Sequence, residues 1–400
     1  MTLPDRADHR SVREDVDAGG LESVTTGRVA SLTGIRAVAA LLVVLTHAAY
    51  TTGKYPQGFV GLVYSRMEIG VPIFFVLSGF LLFAPWVKAA AASRESGSAA
   101  GKPAPSVSRY AWHRVRRIMP AYVITVVAAY LVYHFRTAGP NPGHTWEGLF
   151  RNLTLTQIYT DNYLFSYLHQ GLTQMWSLAV EVAFYVALPL LAYLLLVVLC
   201  RRRWRPGLLL TGLAALALVS PAWMWLVHDT TFLPDGAKLW LPGYLAWFVG
   251  GMLLAALQPL GVRAYALACV PLALACYLIA STPIAGEPTT SPAELREALA
   301  KTVFYAVIAT LVVAPLALRG SRGEDRDGWY AGLLASRPMV FLGEISYEIF
   351  LIHLVLMELV MVEVLRYPIY TGSVWLLFFG TMAVTIPLAW LLHRFTRVRA

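Results

Sequence analysis

Ser31-Leu-Thr-Gly-Ile-Arg-Ala-Val-Ala-Ala-Leu-Leu-Val-Val-Leu-Thr-His-Ala-Ala-Tyr50 is an apolar run long enough to cross a ~30 Å hydrocarbon core as one helix. Two of its residues, Arg36 and His47, are expensive to place in hydrocarbon. Eleven positions at ~100° each bring them to within about 20° of one helix face. At ~1.5 Å per residue they stand about 16 Å apart, half a bilayer core. Taken alone, the pair reads equally as an arginine that snorkels to the surface beside a satisfied buried histidine, or as the lining of a working interior.

Composition settles the class. With 58% hydrophobic residues, 14% charged residues and a mean hydropathy of +0.59, the chain departs far from a soluble domain, where roughly 25% of residues are charged. Apolar runs of membrane length fall near 32–50, 69–87, 118–135, 174–199, 207–227, 239–257, 264–281, 302–318, 339–363 and 374–393. Alternating strands of barrel type are not seen. The expectation is an all-α polytopic membrane protein with about ten transmembrane helices, nine or eleven also fitting the shorter runs.

With the N-terminus placed in the cytoplasm, the inside segments carry 23 Lys and Arg against 8 outside. That bias predicts both termini cytoplasmic in a multi-pass inner (plasma) membrane protein. The net charge of +9 suits anionic lipid headgroups and cytosolic anions, and nucleic acid is not called for. Residues 1–31 are polar, lack the apolar core of a signal peptide and read as a disordered cytoplasmic tail before an uncleaved first span. The membrane domain is expected over 32–393, with a cytoplasmic tail at 394–400. Residues 89–108 read as a linker, 319–338 as a charged loop, and 136–173 as an outer segment able to fold over the mouth of the bundle. Cys200, Cys269 and Cys276 stand without a metal-ligand spacing, so no metal is expected. No internal repeat stands out, which counts mildly against a repeat-built transporter.

The remaining polar residues in or beside hydrocarbon define the candidate site. Ser78-Gly79 in Phe74-Phe-Val-Leu-Ser-Gly-Phe80 permits close helix packing. Arg114 and Arg117 are three apart, share a helix face and form a fork suited to phosphate oxygens, although positive-inside residues are the plainer reading. Glu181, in Met175-Trp-Ser-Leu-Ala-Val-Glu181, lies two turns into its span and on this reading is level with His47. A carboxylate there would fix the imidazole tautomer and raise its basicity. Glu344, Glu348 and His353 either line a cavity or satisfy other buried groups.

These motifs resemble the acyltransferase-3 family of membrane O-acyltransferases, which modify sugars, antibiotics and envelope glycolipids. The family's opening Leu-Asp-Gly-Leu-Arg with a later His is matched by Leu32 to Arg36 and His47, and its Phe-Phe-Val-Leu-Ser-Gly-Phe recurs letter for letter. Its Tyr…Arg-x-x-Arg-Ile-x-Pro…Tyr falls on Tyr110, Arg114, Arg117, Pro120 and Tyr122. Its Trp-Ser-Leu-x-x-Glu falls on Trp176 to Glu181, and its late Ile-Ser-Tyr…His on Ile345, Ser346, Tyr347 and His353. Thr33 replaces the usual Asp, Val182 stands where many members have a second acid, and the common Arg-Phe-x-Glu-x-Pro ending is reduced to Arg394-Phe-Thr-Arg-Val398. A fused esterase-like soluble domain, present in some relatives, is not expected.

The resemblance implies acetyl-CoA or another acyl-CoA as a donor substrate, with no permanently bound cofactor. Arg36, Arg114, Arg117 and Tyr122 are expected to hold the donor. His47, with Glu181, would act as general base or as covalent acyl carrier, with Ser78, Trp176, Tyr347 and His353 in support. The acceptor would be a hydroxyl of an envelope carbohydrate or glycolipid. The Ala/Arg/Val-rich composition resembles that of GC-rich actinobacteria, whose relatives acylate trehalose mycolate-type lipids and macrolides. A glycolipid or small-anion flippase is the competing class; it has no need of phosphate-binding arginines and a base on one path.

Overall fold

The computed structural model describes residues 8–95, 105–136, 141–161, 168–288, 294–318 and 328–397. The central part of the expected linker, residues 319–327 of the charged loop and the last three residues lie outside the described residues. The fold is all-helical, with no strand among the described residues. Helix α1 spans Asp8–Thr51, of which Ala30–Thr51 is apolar and of membrane length. Helices α2 (Gly58–Arg66) and α3 (Gly70–Glu95) are joined by a 3-10 turn, Met67–Ile69, into one long apolar stretch. There follow α4 (Val107–Phe135), the short α5 (Trp146–Leu153) and α6 (Met175–Ala192), which unwinds into a π-helical turn up to Leu199. Helices α7 (Pro206–Ala217) and α8 (Val219–Asp229) act as one span, then α9 (Leu241–Leu257), α10 (Ala266–Ala280) and α11 (Leu295–Ala317). The chain closes with α12 (Gly328–Leu334), α13 (Arg337–Glu344), α14 (Ser346–Leu359) and α15 (Val374–Thr396).

Among the described residues eight stretches are long and apolar enough to cross a membrane, or nine if α13 and α14, bent by 70° about Ile345, form one broken span. Every apolar run read from the sequence is helical, but the count is lower than ten. The run at 264–281 yields only α10, about 22 Å long at ~1.5 Å per residue. Extended Tyr265 precedes it, and the turn at Ser281-Thr282-Pro283 ends it.

Helices α1, α3 and α9 form the centre. A Cβ on Gly79 would lie 2.1 Å from the Phe248 carbonyl oxygen, and one on Gly251 would lie 1.9 Å from that of Val76. Helices α3 and α9 therefore touch backbone to backbone, which only glycine allows. Phe75 stacks on Phe248 at 4.3 Å, and Phe248 on Phe184 at 4.0 Å, which ties α6 to the same core. The α7–α8 span is peripheral, with 17% of its window buried against 67% for Gly58–Ala92.

The segment before α6 does not stay at the bundle's end. His169, Gly171, Leu172 and Gln174 are all buried, and a Cβ on Gly171 would meet Tyr133 of α4 and Val355 of α14 at 2.7 Å. Gln174 Nε2 donates to the Leu351 carbonyl at 2.9 Å. Helix α6 thus begins level with Phe350 and Leu351, inside the bundle, and this sets the depth of everything it carries.

Candidate active site

Arg36 opens onto a cavity of about 90 Å³ that Arg114, Arg117, Ser78, Glu181 and Tyr347 also line. Five helices supply it: α1, α3, α4, α6 and α14. Arg114 and Arg117 share one face of α4, as their spacing predicts. Arg114 Nε is buried and makes no hydrogen bond to the described residues. Glu181 accepts from the Ser78 hydroxyl and, at 2.5 Å, from the Tyr185 hydroxyl. Three guanidiniums face one carboxylate, a surplus of two positive charges in an enclosed space, which favours an anionic guest. Tyr347 donates to the Ile118 carbonyl at 3.0 Å and so holds α14 against α4 beside the cavity.

Tyr122 does not join this group. It is fully buried and donates to the Asn152 carbonyl at 2.5 Å, tying α4 to α5, so the expected contact with a donor is corrected to a structural bond. Glu348 is buried below the cavity and pairs with His393 of α15 at 2.9 Å. Among the described residues no group of three or more His, Cys, Asp or Glu is placed to hold a metal.

From the arginines the cavity runs between Phe74, Phe75 and Phe350, and the Phe350 ring lies 6.1 Å from that of His353. His353 meets His47: Nε2 of the first stands 3.1 Å from Nδ1 of the second. The hydrogen bonds around this pair fix its tautomers. Nδ1 of His353 lies 2.8 Å from the Phe350 carbonyl and 3.1 Å from that of Ile349, so it must be the N–H. Its Nε2 then carries a lone pair and accepts from His47 Nδ1–H. His47 is thereby left with an unprotonated Nε2. An imidazole held in this way is set to take a proton or attack a carbonyl.

The expected partnership of His47 with Glu181 is not what the structure builds. Because α6 starts at the level of Phe350, seven residues at ~1.5 Å carry Glu181 about 10 Å further, to the arginine end. His353 occupies the place beside His47 that the sequence reading gave to Glu181. Trp176 packs on Tyr244 at 5.0 Å. Glu68 lies in the turn between α2 and α3, which packs on α1: a Cβ on Gly70 would fall 2.8 Å from the Val43 side chain, one turn before His47. Glu68 Oε1 is 2.5 Å from Lys301 Nζ and accepts from the Tyr305 hydroxyl at 2.8 Å. Sequence reasoning left Glu68 and Lys301 in outer loops, each one residue beyond an apolar run. Two opposite charges at such edges were the available signal.

The outer segment packs as a polar, aromatic plug. Tyr130 stacks on His169 at 4.3 Å and on His144 at 5.0 Å, and the two imidazoles are 3.3 Å apart. Burial, then the neighbouring His144, pushes the His169 pKa down to about 3.

The family described as an acyltransferase domain matches residues 29–394. The chain belongs to the acyltransferase-3 family. It is 27% identical to Acyltransferase MdmB of Streptomyces mycarofaciens over 82% of this chain and 78% of that protein. It is 30% identical to Peptidoglycan O-acetyltransferase OatA of Listeria monocytogenes over 50% of this chain and 29% of that protein, so it spans under a third of the second relative. No solved structure matches. The chain is a membrane O-acyltransferase of this family.

Proposed function

We propose that the protein moves an acyl group, acetyl in the simplest case, from cytosolic acyl-CoA to a hydroxyl of an envelope carbohydrate or glycolipid. The observation that supports this most is one path on one helix. Arg36 stands in a cavity with two further arginines, and about 16 Å along α1 His47 presents an unprotonated Nε2. The phosphates of the donor would sit among Arg36, Arg114 and Arg117, and its pantetheine arm would follow the apolar stretch past Phe74 and Phe350. That stretch excludes water, which would otherwise hydrolyse the thioester.

In the direct route the acceptor oxygen attacks the thioester carbonyl as His47 Nε2 takes the hydroxyl proton. The carbon–sulfur bond then breaks, and the departing thiolate receives that proton. In the covalent route His47 Nε2 attacks the thioester carbonyl and the carbon–sulfur bond breaks to release the thiolate; the acceptor hydroxyl then attacks the acyl-imidazole, the carbon–nitrogen bond breaks, and the hydroxyl proton passes to the thiolate. The relatives support an acyltransferase; the donor and the acceptor are read here from the charges and the path.

On this reading both termini lie in the cytoplasm of a multi-pass plasma membrane protein, and His47 lies toward the outer side. The test is purified protein with radiolabelled acetyl-CoA and a crude lipid and sugar extract. Labelled ester is expected from wild type, and a loss of ~10²–10⁴ in rate from His47→Ala. Unchanged turnover by His47→Ala would remove the assignment; label that moves across a membrane without ester would favour a flippase.

A further inference from the structure

Glu68 sits where a carboxylate is costly, within an apolar stretch of membrane length. Its two hydrogen bonds both fall on Oε1, from Tyr305 and Lys301. Among the described residues Oε2 has no bond of its own. The side chain keeps 40% of its surface accessible, while Tyr305 is 1% exposed. Neighbouring Arg66 does not neutralise it directly: its guanidinium is buried and donates to the carbonyls of Ala280, Ala285 and Gly286. Lys301 and Tyr305 therefore hold the carboxylate by one oxygen, and the turn that carries it packs on α1, where a Cβ on Gly70 would fall 2.8 Å from the Val43 side chain, one helical turn before His47.

Aromatic rings border the same region. Trp176 meets Tyr244 at 5.0 Å, Tyr244 meets Trp247 at 4.9 Å, and Trp247 meets Tyr305 at 5.9 Å. Trp176 and Tyr244 are half-buried, so each keeps part of its surface uncovered. Glu68 is close enough to Tyr244 to act on its hydroxyl electrostatically. A fixed carboxylate oxygen with an uncovered aromatic flank is the chemistry that recognises a sugar ring: the oxygen accepts from hydroxyls, and the rings cover the apolar C–H face.

Resting on the proposed acyl transfer, we propose that Glu68 is the positioning residue of an acceptor subsite for a neutral sugar ring, held by Lys301 and Tyr305 and flanked by Trp176 and Tyr244. The subsite borders the arginine cavity on the α9 side, where Phe75 of the cavity lining meets Tyr244 at 6.5 Å and Trp247 at 5.9 Å. It accepts a ring hydroxyl at Glu68 Oε2 and presents a neighbouring hydroxyl to His47 Nε2. A ring bearing its own negative charge would be repelled by Glu68.

Octyl β-D-glucopyranoside serves as probe, titrated into protein in lipid nanodiscs while tryptophan fluorescence is followed. Saturable quenching is expected for the glycoside and not for 1-octanol. Glu68→Gln should weaken the glycoside's apparent Kd about tenfold or more, the loss of one charge-assisted hydrogen bond, and leave coenzyme A binding unchanged. Glu68→Gln strands Lys301, so Glu68→Gln/Lys301→Gln is the second variant; it should show the same selective loss with the buried charge removed. Equal glycoside affinity in wild type and either variant, or no saturable glycoside binding by wild type, overturns the inference. Labelled ester from acetyl-CoA together with Glu68-independent glycoside binding would leave the proposed function standing and remove this subsite. Glu68-dependent glycoside binding without acyl transfer would do the reverse.

Discussion

His353→Leu isolates the tautomer argument. The substitution removes the lone pair that accepts from His47 Nδ1–H, and leaves the Phe350 and Ile349 carbonyls in their helix. One neutral hydrogen bond is worth about 0.5–1.5 kcal/mol, which alone slows turnover roughly two- to tenfold. The ring also loses the contact that orients it, so part of the ~10²–10⁴ supplied by a positioned base is exposed to loss. The expected fall in kcat is about tenfold to a hundredfold, with both Michaelis constants within about twofold of wild type, because His353 touches neither the arginines nor Glu68. His353→Gln places an amide oxygen near the former Nε2 and should recover most of the rate. Initial rates of ester formation give the activity. Nitrogen-15 spectra of labelled histidine should show His47 Nε2 unprotonated in wild type and a mixture of tautomers in His353→Leu. Leu and Gln variants that are equally impaired, or a His47 protonated on Nε2 in wild type, would refute the relay.

Arg114→Ala and Arg117→Ala should each raise the Michaelis constant for acyl-CoA more than that for the acceptor, at ~1.5–3 kcal/mol per lost phosphate bond; equal effects on both would indicate a misfolded cavity instead. Coenzyme A should raise the thermal stability of wild type, and pantetheine, which lacks the phosphates, should not. Buried His169 stays neutral in the fold, so its stabilisation is present above about pH 6.5, its ordinary value, and is lost as pH falls toward about 3, at up to ~1.4 kcal/mol per unit. Thermal melts should decline over that window in wild type, more steeply than in His169→Gln. In a version lacking Cys200, Cys269 and Cys276, Trp146→Cys should react with an impermeant thiol reagent on intact cells and Ser108→Cys should not, both positions being exposed. The opposite pattern inverts the proposed topology.

Local signals carried much of the architecture. Apolar length located every helix that reaches across the bundle, and the spacing of Arg114 and Arg117 placed them on one face. The pairing of His47 was not readable, because it depends on where α6 begins. A polar stretch such as 168–174 looks like an outer loop in sequence, and only its burial against Tyr133 and Val355 draws Met175 inward and carries Glu181 to the arginines. Glu68 and Lys301 were missed for a related reason. Each sits at the edge of an apolar run, and the contact that makes them interior joins residues more than two hundred positions apart. Helix α10 shows the converse limit: its run has the composition of a span, but its 15 helical residues are about a turn short of the ~20 that cross a bilayer core.

The order of charges along the path carries specificity of its own. Three arginines with one glutamate line the cavity, Phe350 stands between it and the histidine pair, and Glu68 lies apart from the arginines on the turn that packs on α1 near Val43. The close backbone contacts of α1 keep that order rigid: a Cβ on Gly70 would fall 2.2 Å from the Ala39 carbonyl oxygen, and one on Gly343 would fall 2.0 Å from that of Thr33. On the proposed reading, a polyanionic donor then has one favourable orientation, phosphates to the arginines and thioester to His47, because only the cavity carries a surplus of positive charge. A neutral acceptor meets no penalty beside Glu68. Two substrates of different electrostatic character are thereby drawn to different charges, and the carboxylate disfavours phosphate at its own position as the arginines favour it at theirs.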